Sequence, residues 1–207
     1  MKGYLRKNIK LLAVFIFLLS ISAYCGSLSH CVKYDKSLVS GAGPLPYNYR
    51  VIDGTFHAGG HPLDPAKDLK ASDEQAREIL RYLKSKGVDT VVDLQNDRGT
   101  EAHYVRLLDE FGMKRIHLPL NWLKVPSKEQ WSMIEKALDK PVYVHCKWGA
   151  DRTGLIVAKY LVSRKGYSVD DAIASVSTGG SHAGVIRGMA IAYKLDPIFL
   201  RFLREKY

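Results

Sequence analysis

Residues 144–154 read VHCKWGADRTG: the end of an apolar run, a cysteine, five residues and then an arginine. The run VYVHC (142–146) has no polar interruption until its last positions, which predicts a buried strand. After the arginine, TGLIVAKYLVSRKG (153–166) predicts a mostly apolar helix beginning near Thr153 and stopped by Gly166. The quoted stretch is therefore a strand, a tight loop and a helix, with Cys146 where the strand ends.

The same alternation extends upstream and downstream. YRVIDGTFHAG (49–59) reads as two short strands around an Asp53-Gly54 turn. Ser72 with Gln75 forms a capping box, and Ala76, Ile79, Leu80 and Leu83 stripe one helical face as far as Gly87. VDTVVDL (88–94) is a β-branched strand. Ala102, Val105, Leu108 and Phe111 mark a second helix, closed by Gly112, and RIHLPL gives another strand. Ser127 with Gln130 caps a helix carrying Trp131, Ile134 and Leu138. Ser168 with Asp171 opens the next helix, and Asp196-Pro197 opens the last. Strands alternating with helices predict an α/β fold with a central, mainly parallel sheet and helices on both faces. In such sheets the ligand crevice lies beyond the carboxyl ends of the strands, where Cys146 sits.

A loop feeding a helix N-terminus turns several backbone N–H groups inward. Together with the positive end of the helix dipole they form an anion site. Lys147, Trp148, Gly149, Ala150, Asp151 and Arg152 supply that cradle. Gly149 permits the tight turn, and Arg152 offers a planar fork for two phosphate oxygens. A thiol in such a field is favoured as the nucleophilic thiolate. Thr153 can donate its hydroxyl to the sulfur, and His145 is placed to orient the loop rather than to act as a base.

HCKWGADRTG resembles the signature of the cysteine-dependent protein tyrosine phosphatases, in their compact dual-specificity branch. YRVIDGTFHAGGHP and TVVDL resemble the opening strand pair and next strand of that family, over roughly residues 45–180. The resemblance implies a dual-specificity-phosphatase-like fold. It also implies hydrolysis of phosphomonoesters through a phosphocysteine at Cys146, with Arg152 holding the phosphate. Phosphotyrosine or phosphoserine/threonine proteins are the first substrate reading. Lys147, in a loop similar to that of lipid phosphatases with an HCK signature, keeps a phosphoinositide open.

Family members carry the general acid on a loop about 30 residues before the cysteine. Here that loop reads PLNWLKVP (119–126), with Asn121 and no acid. Asp151, whose place resembles that of a proposed acid in myotubularin-type phosphatases, is the replacement candidate. Asp93 and Asp97 are weaker candidates that read equally well as turn residues. The empty acid loop also leaves open a pseudophosphatase that binds phosphate and turns it over weakly. A redox-sensing Cys146 is a third reading, without an obvious resolving partner.

The chain has 207 residues and a net charge of +10, from 31 Lys and Arg against 21 Asp and Glu. Part of the excess lies in MKGYLRKNIK, which precedes the apolar run Leu11–Ala23. That layout predicts a signal peptide or an N-terminal anchor over 1–23, then a Gly/Pro/Ser-rich linker over 24–48 and the phosphatase domain over 49–207. Export to the periplasm or the extracytoplasmic face of the membrane follows, with possible N-terminal membrane attachment. Cys25 and Cys31 can pair there, leaving Cys146 alone. Basic residues are not interleaved with aromatics as a nucleic-acid groove requires, so no nucleic-acid partner is expected. No cofactor or metal is expected either: His57 and His61 are spaced i, i+4, but Ala58-Gly59-Gly60 and Pro62 deny them a helix. GGSHAG, around His182, reads as a plain loop with the option of bordering the pocket. A monomer is expected.

Overall fold

The apolar runs pair into one sheet. A computed structural model describes residues 45–63, 71–96, 101–121, 124–177, 180, 182–183 and 196–206. Its strands are β1 (Arg50–Val51), β2 (Phe56–Gly59), β3 (Thr90–Asp93), β4 (Lys114–His117) and β5 (Val142–His145). Their order across the sheet is β1-β2-β5-β3-β4, with β1 antiparallel to β2 and every other pairing parallel. β5 lies at the centre. Its last residue, His145, is in register with Gly59 on one side and Asp93 on the other, and Asp93 is in register with His117. The carboxyl ends of four strands are thus level, and Cys146 leaves from the middle of them.

Helices cover both faces, as the alternation predicts. On one face α1 (Asp73–Ser85) and α2 (Glu101–Glu110) bury Ala76, Ile79, Leu80, Leu83, Tyr104 and Leu108 against Val91 and Tyr143. On the other, α3 (Lys128–Ala137), α4 (Asp151–Lys165), α5 (Val169–Val176) and α6 (Pro197–Arg204) pack on Val92, Val142 and Val144. Each fully buried branched aliphatic contributes about 1.5–3 kcal/mol. Both capping boxes form: Ser72 and Ser127 accept from the N–H of Gln75 and Gln130, whose side chains reach back. Asp196 caps α6 with Pro197 in its first turn.

α4 is buried along most of its length, including Lys159, which is 1% exposed. Its ammonium donates to the carbonyls of Phe202 (2.7 Å) and Glu205, so it closes the C-terminal end of α6, where backbone acceptors lack helical partners. Leu45 and Asn48 are wholly buried, so packing reaches into the end of the segment read as linker. The signal or anchor expected over 1–23, Cys25 and Cys31 lie outside the described residues. Among the described residues no helix is long and apolar enough to cross a membrane.

His57, on β2, is buried, with Nδ1 accepting from Tyr49 Oη at 2.6 Å and Nε2 without a hydrogen-bond partner among the described residues. Burial, aided by Lys86 and opposed by Asp53, pulls its imidazole down to about 4. The unfolded chain binds a proton near pH 6.5 that the fold refuses, so stability is full above that pH and falls as pH drops from about 6.5 to 4. His145, also held below its ordinary value by burial, adds a slope of the same sign. Urea midpoints measured across this window should fall with pH in the parent. His57→Gln should flatten part of that fall.

Candidate active site

The loop from Cys146 to Arg152 fills the space beyond β5. Cys146 is 3% exposed and packs beside Val144 and Leu155 at the top of the core. It is the free cysteine among the described residues. Gly149 has φ +64, which reverses the chain, and Ala150 is the N-cap of α4. The helix opens at Asp151, earlier than the start expected near Thr153, because the glycine turn completes the reversal by residue 150. No side chain caps it, and Gly154 N–H makes a helical bond to Ala150 O. The N–H groups at this end are left for an anion, on the positive end of a 15-residue helix.

Arg152 is half-buried. One terminal nitrogen donates to the carbonyls of Leu94 (3.0 Å) and Leu120 (3.1 Å), at the ends of the β3 and β4 segments. The guanidinium is anchored by one corner, which leaves its other edge for bidentate contact with an oxyanion. Lys147 and Trp148 form the rim: the Lys147 ammonium lies 4.5 Å from the Trp148 ring centroid, and Trp148 meets Tyr47 edge-on at 5.7 Å. The rim cation is therefore held by an aromatic face rather than by a carboxylate.

Beneath the loop is a buried polar layer. His145 Nδ1 faces only acceptors, Cys146 O at 3.4 Å and Asp93 Oδ1 at 3.7 Å, so it carries the ring proton; Nε2 accepts from Tyr104 Oη at 3.1 Å. Burial keeps this imidazole below its usual value despite the Asp93 charge. His145 is thus a neutral fixture orienting the loop, as the sequence suggests. His61, Asp93 and His145 bring their potential ligand atoms within 4.8 Å of one another. These groups are engaged by the protein: Arg115 donates to Asp93 Oδ2 at 2.6 and 3.0 Å, Gln95 N–H to Asp93 Oδ1, and Leu63 N–H to His61 Nδ1. The arrangement is a hydrogen-bonded support with a guanidinium already in it, which disfavours a divalent cation.

The structure places the remaining residues singled out in the sequence as follows. Asp93 is fully buried, and although burial pushes its carboxyl up, His145, His61, Gln95 N–H and Arg115 together hold it below the ordinary carboxylate range. An ion-paired carboxylate held below its ordinary range beneath the loop is poorly suited to act as a general acid. Asp97 lies outside the described residues. Thr153 Oγ1 is buried and makes no hydrogen bond among the described residues, to the Cys146 sulfur included. Asn121 is exposed, and its carbonyl accepts from Lys124 N–H. His57 and His61 point to different partners. His182 is buried, its carbonyl accepting from Arg50 Nε at 2.8 Å.

Asn48, Arg50, Tyr104 and Arg115 also belong to this site, and sequence reading passed over them. Only Asn48 and Arg50 had a usable signal, polar residues alternating with aromatics in YNYR just ahead of a strand.

The chain matches the family model "DSP-PTPase phosphatase fused to NAD+ Kinase" over residues 72–191. It is 36% identical over 140 residues to mouse (Mus musculus) phosphatidylglycerophosphatase and protein-tyrosine phosphatase 1, covering 66% of this chain and 69% of the relative. Among solved structures it is similar to the kinase associated phosphatase, with TM-score 0.54, 19% identity and coverage of 72% of this chain and 84% of that one. It is also similar to TpbA of P. aeruginosa, with TM-score 0.51, 21% identity and coverage of 74% and 82%.

Proposed function

The chain belongs to the cysteine-dependent, dual-specificity-like protein tyrosine phosphatases and hydrolyses phosphomonoesters, and on that premise we propose how its own residues carry the reaction. The observation that supports it most is the uncapped N-terminus of α4 facing a loop that starts at a lone cysteine and ends at an anchored arginine.

The N–H groups of residues 147–152 and the open edge of Arg152 hold the three non-bridging phosphate oxygens. The Cys146 thiolate attacks phosphorus in line with the leaving oxygen. An S–P bond forms as the P–O bond breaks, and the alcohol departs with a proton from a general acid. Water then attacks the phosphocysteine, giving its proton to the same carboxylate; the S–P bond breaks and thiolate returns. Thr153 Oγ1, a buried donor without another bond among the described residues, can stabilise that departing sulfur.

Asp151 is the acid. It is partly exposed in the first turn of α4, directly before Arg152, whereas Asp93 is ion-paired below the loop. Asp151→Asn should lower kcat on a phosphotyrosine peptide by about 10²–10⁴-fold. The loss on p-nitrophenyl phosphate should be smaller, because that leaving group needs little protonation. Equal small losses on both substrates would remove Asp151 from this role.

Phosphotyrosine and phosphoserine/threonine proteins are the leading substrates. A phosphoinositide or phospholipid headgroup is the second reading, favoured by Lys147 poised over Trp148 and by the phosphatidylglycerophosphatase name of the mouse relative. The protein acts as a monomer on the extracytoplasmic side, delivered by residues 1–23. The basic segment ahead of an apolar run supports that delivery. Cell fractionation of the full chain against one lacking residues 2–23 checks it; an unchanged cytosolic distribution of both would contradict it.

A further inference from the structure

A loop that turns its N–H groups toward an anion must turn its carbonyls into the protein, where each needs a donor. The carbonyl of Gly149, at the loop's sharpest bend, has two. Asn48 Nδ2 donates to it at 3.2 Å and Arg50 Nη1 at 2.8 Å. Both come from the segment entering β1, about a hundred residues away in sequence, and both are buried. The same guanidinium donates to Asn48 O at 2.9 Å and to His182 O at 2.8 Å. Arg50 therefore joins three segments: the chain entering the sheet, the phosphate loop and the stretch after α5.

Two further features make this more than packing. Asn48 has φ +57, a left-handed backbone that is unfavourable for a non-glycine residue and that asparagine tolerates best. That conformation lets the amide at 48 and the guanidinium at 50 converge on one carbonyl. And a buried cation directly behind Gly149 acts through a low-dielectric interior, so its field reaches the anion cradle with little screening.

We propose that Asn48 and Arg50 are positioning residues for phosphate: they hold the Gly149 carbonyl away from the bound anion and keep the loop's N–H groups convergent. This rests on the reading of residues 146–152 as the phosphate cradle. The test uses the full chain and competitive inhibition by orthovanadate and inorganic phosphate, measured beside thermal melting. Asn48→Gly keeps the left-handed backbone without strain and removes the amide's bond to Gly149 O. Its melting temperature should stay close to the parent's while the inhibition constants weaken about 10-fold, the equivalent of one buried hydrogen bond. Arg50→Met should weaken them about 100-fold, with Arg50→Lys recovering part of the loss.

Unchanged oxyanion affinity in folded Asn48→Gly, whatever its melting temperature, overturns the proposal and leaves these residues as scaffold. If Arg50→Met does not fold, Asn48→Gly alone decides. Failure of the parent itself to bind either oxyanion overturns the cradle reading, and this inference with it.

Discussion

Cys146→Ser should leave a folded protein that still binds phosphate and turns over essentially nothing, with kcat/KM on a phosphotyrosine peptide falling by at least about 10⁴-fold. A serine hydroxyl occupies nearly the same volume, so the buried site at the end of β5 keeps its shape. It does not ionise under the conditions where a thiol does, and no base in the described structure faces it: His145 directs its proton-bearing nitrogen to Cys146 O and its other nitrogen to Tyr104. Losses of this order accompany removal of an enzymic nucleophile, while binding through the loop N–H groups and Arg152 is retained. Steady-state kinetics beside orthovanadate binding separates the two. Loss of both together would mean that the side chain shapes the loop rather than attacking phosphorus.

Gly149→Ala should be the most damaging change that alters no functional group. A β-carbon there would lie 2.6 Å from both Gly59 O and Gly60 N, and φ +64 is a region an alanine enters at a cost of about 1–2 kcal/mol. Since the neighbours are backbone, relief must come from moving the loop, and a displacement near 1 Å costs about 10²-fold in rate. We expect a loss of about 3 kcal/mol in stability and at least about 10²-fold in kcat/KM. Gly166→Ala is the control: φ there is +71, and a β-carbon meets nothing within 4 Å. It should cost about 1 kcal/mol and leave activity alone. Equal effects from the two substitutions would show that the close approach of the phosphate loop to the Gly59-Gly60 turn has no part in catalysis.

What was legible in the sequence was whatever is encoded locally. The capping boxes at Ser72 and Ser127, the β-branched strand read over 88–94, and the strand–loop–helix at 142–166 depend on neighbours a few residues apart, and each forms, the strand over Thr90–Asp93 and the helix from Asp151. The cradle was legible for the same reason, because nucleophile, turn glycine and arginine lie within one loop. The support beneath it was not. Arg50 reads as one polar residue in a short strand, and its burial comes from Gly149 and His182, which the topology brings from the far end of the chain. Asp93 reads as a turn residue and candidate acid. Its partner Arg115 sits on the neighbouring parallel strand, reached only after a helical crossover, so nothing local announced the ion pair. Lys159, in the apolar middle of its helix, gave no hint that it closes α6.

The account turns on whether the phosphoryl group passes through Cys146, and rapid quench into alkaline denaturant of the full chain reacting with a ³²P-labelled phosphotyrosine peptide asks this directly. The predicted result is transient label on the peptide spanning Cys146, stable in alkali and lost in mild acid as a phosphothiolate is, appearing before phosphate release and accumulating in Asp151→Asn with an activated leaving group, for which the first step outruns the second. Turnover at the parental rate with no label on that peptide would contradict it.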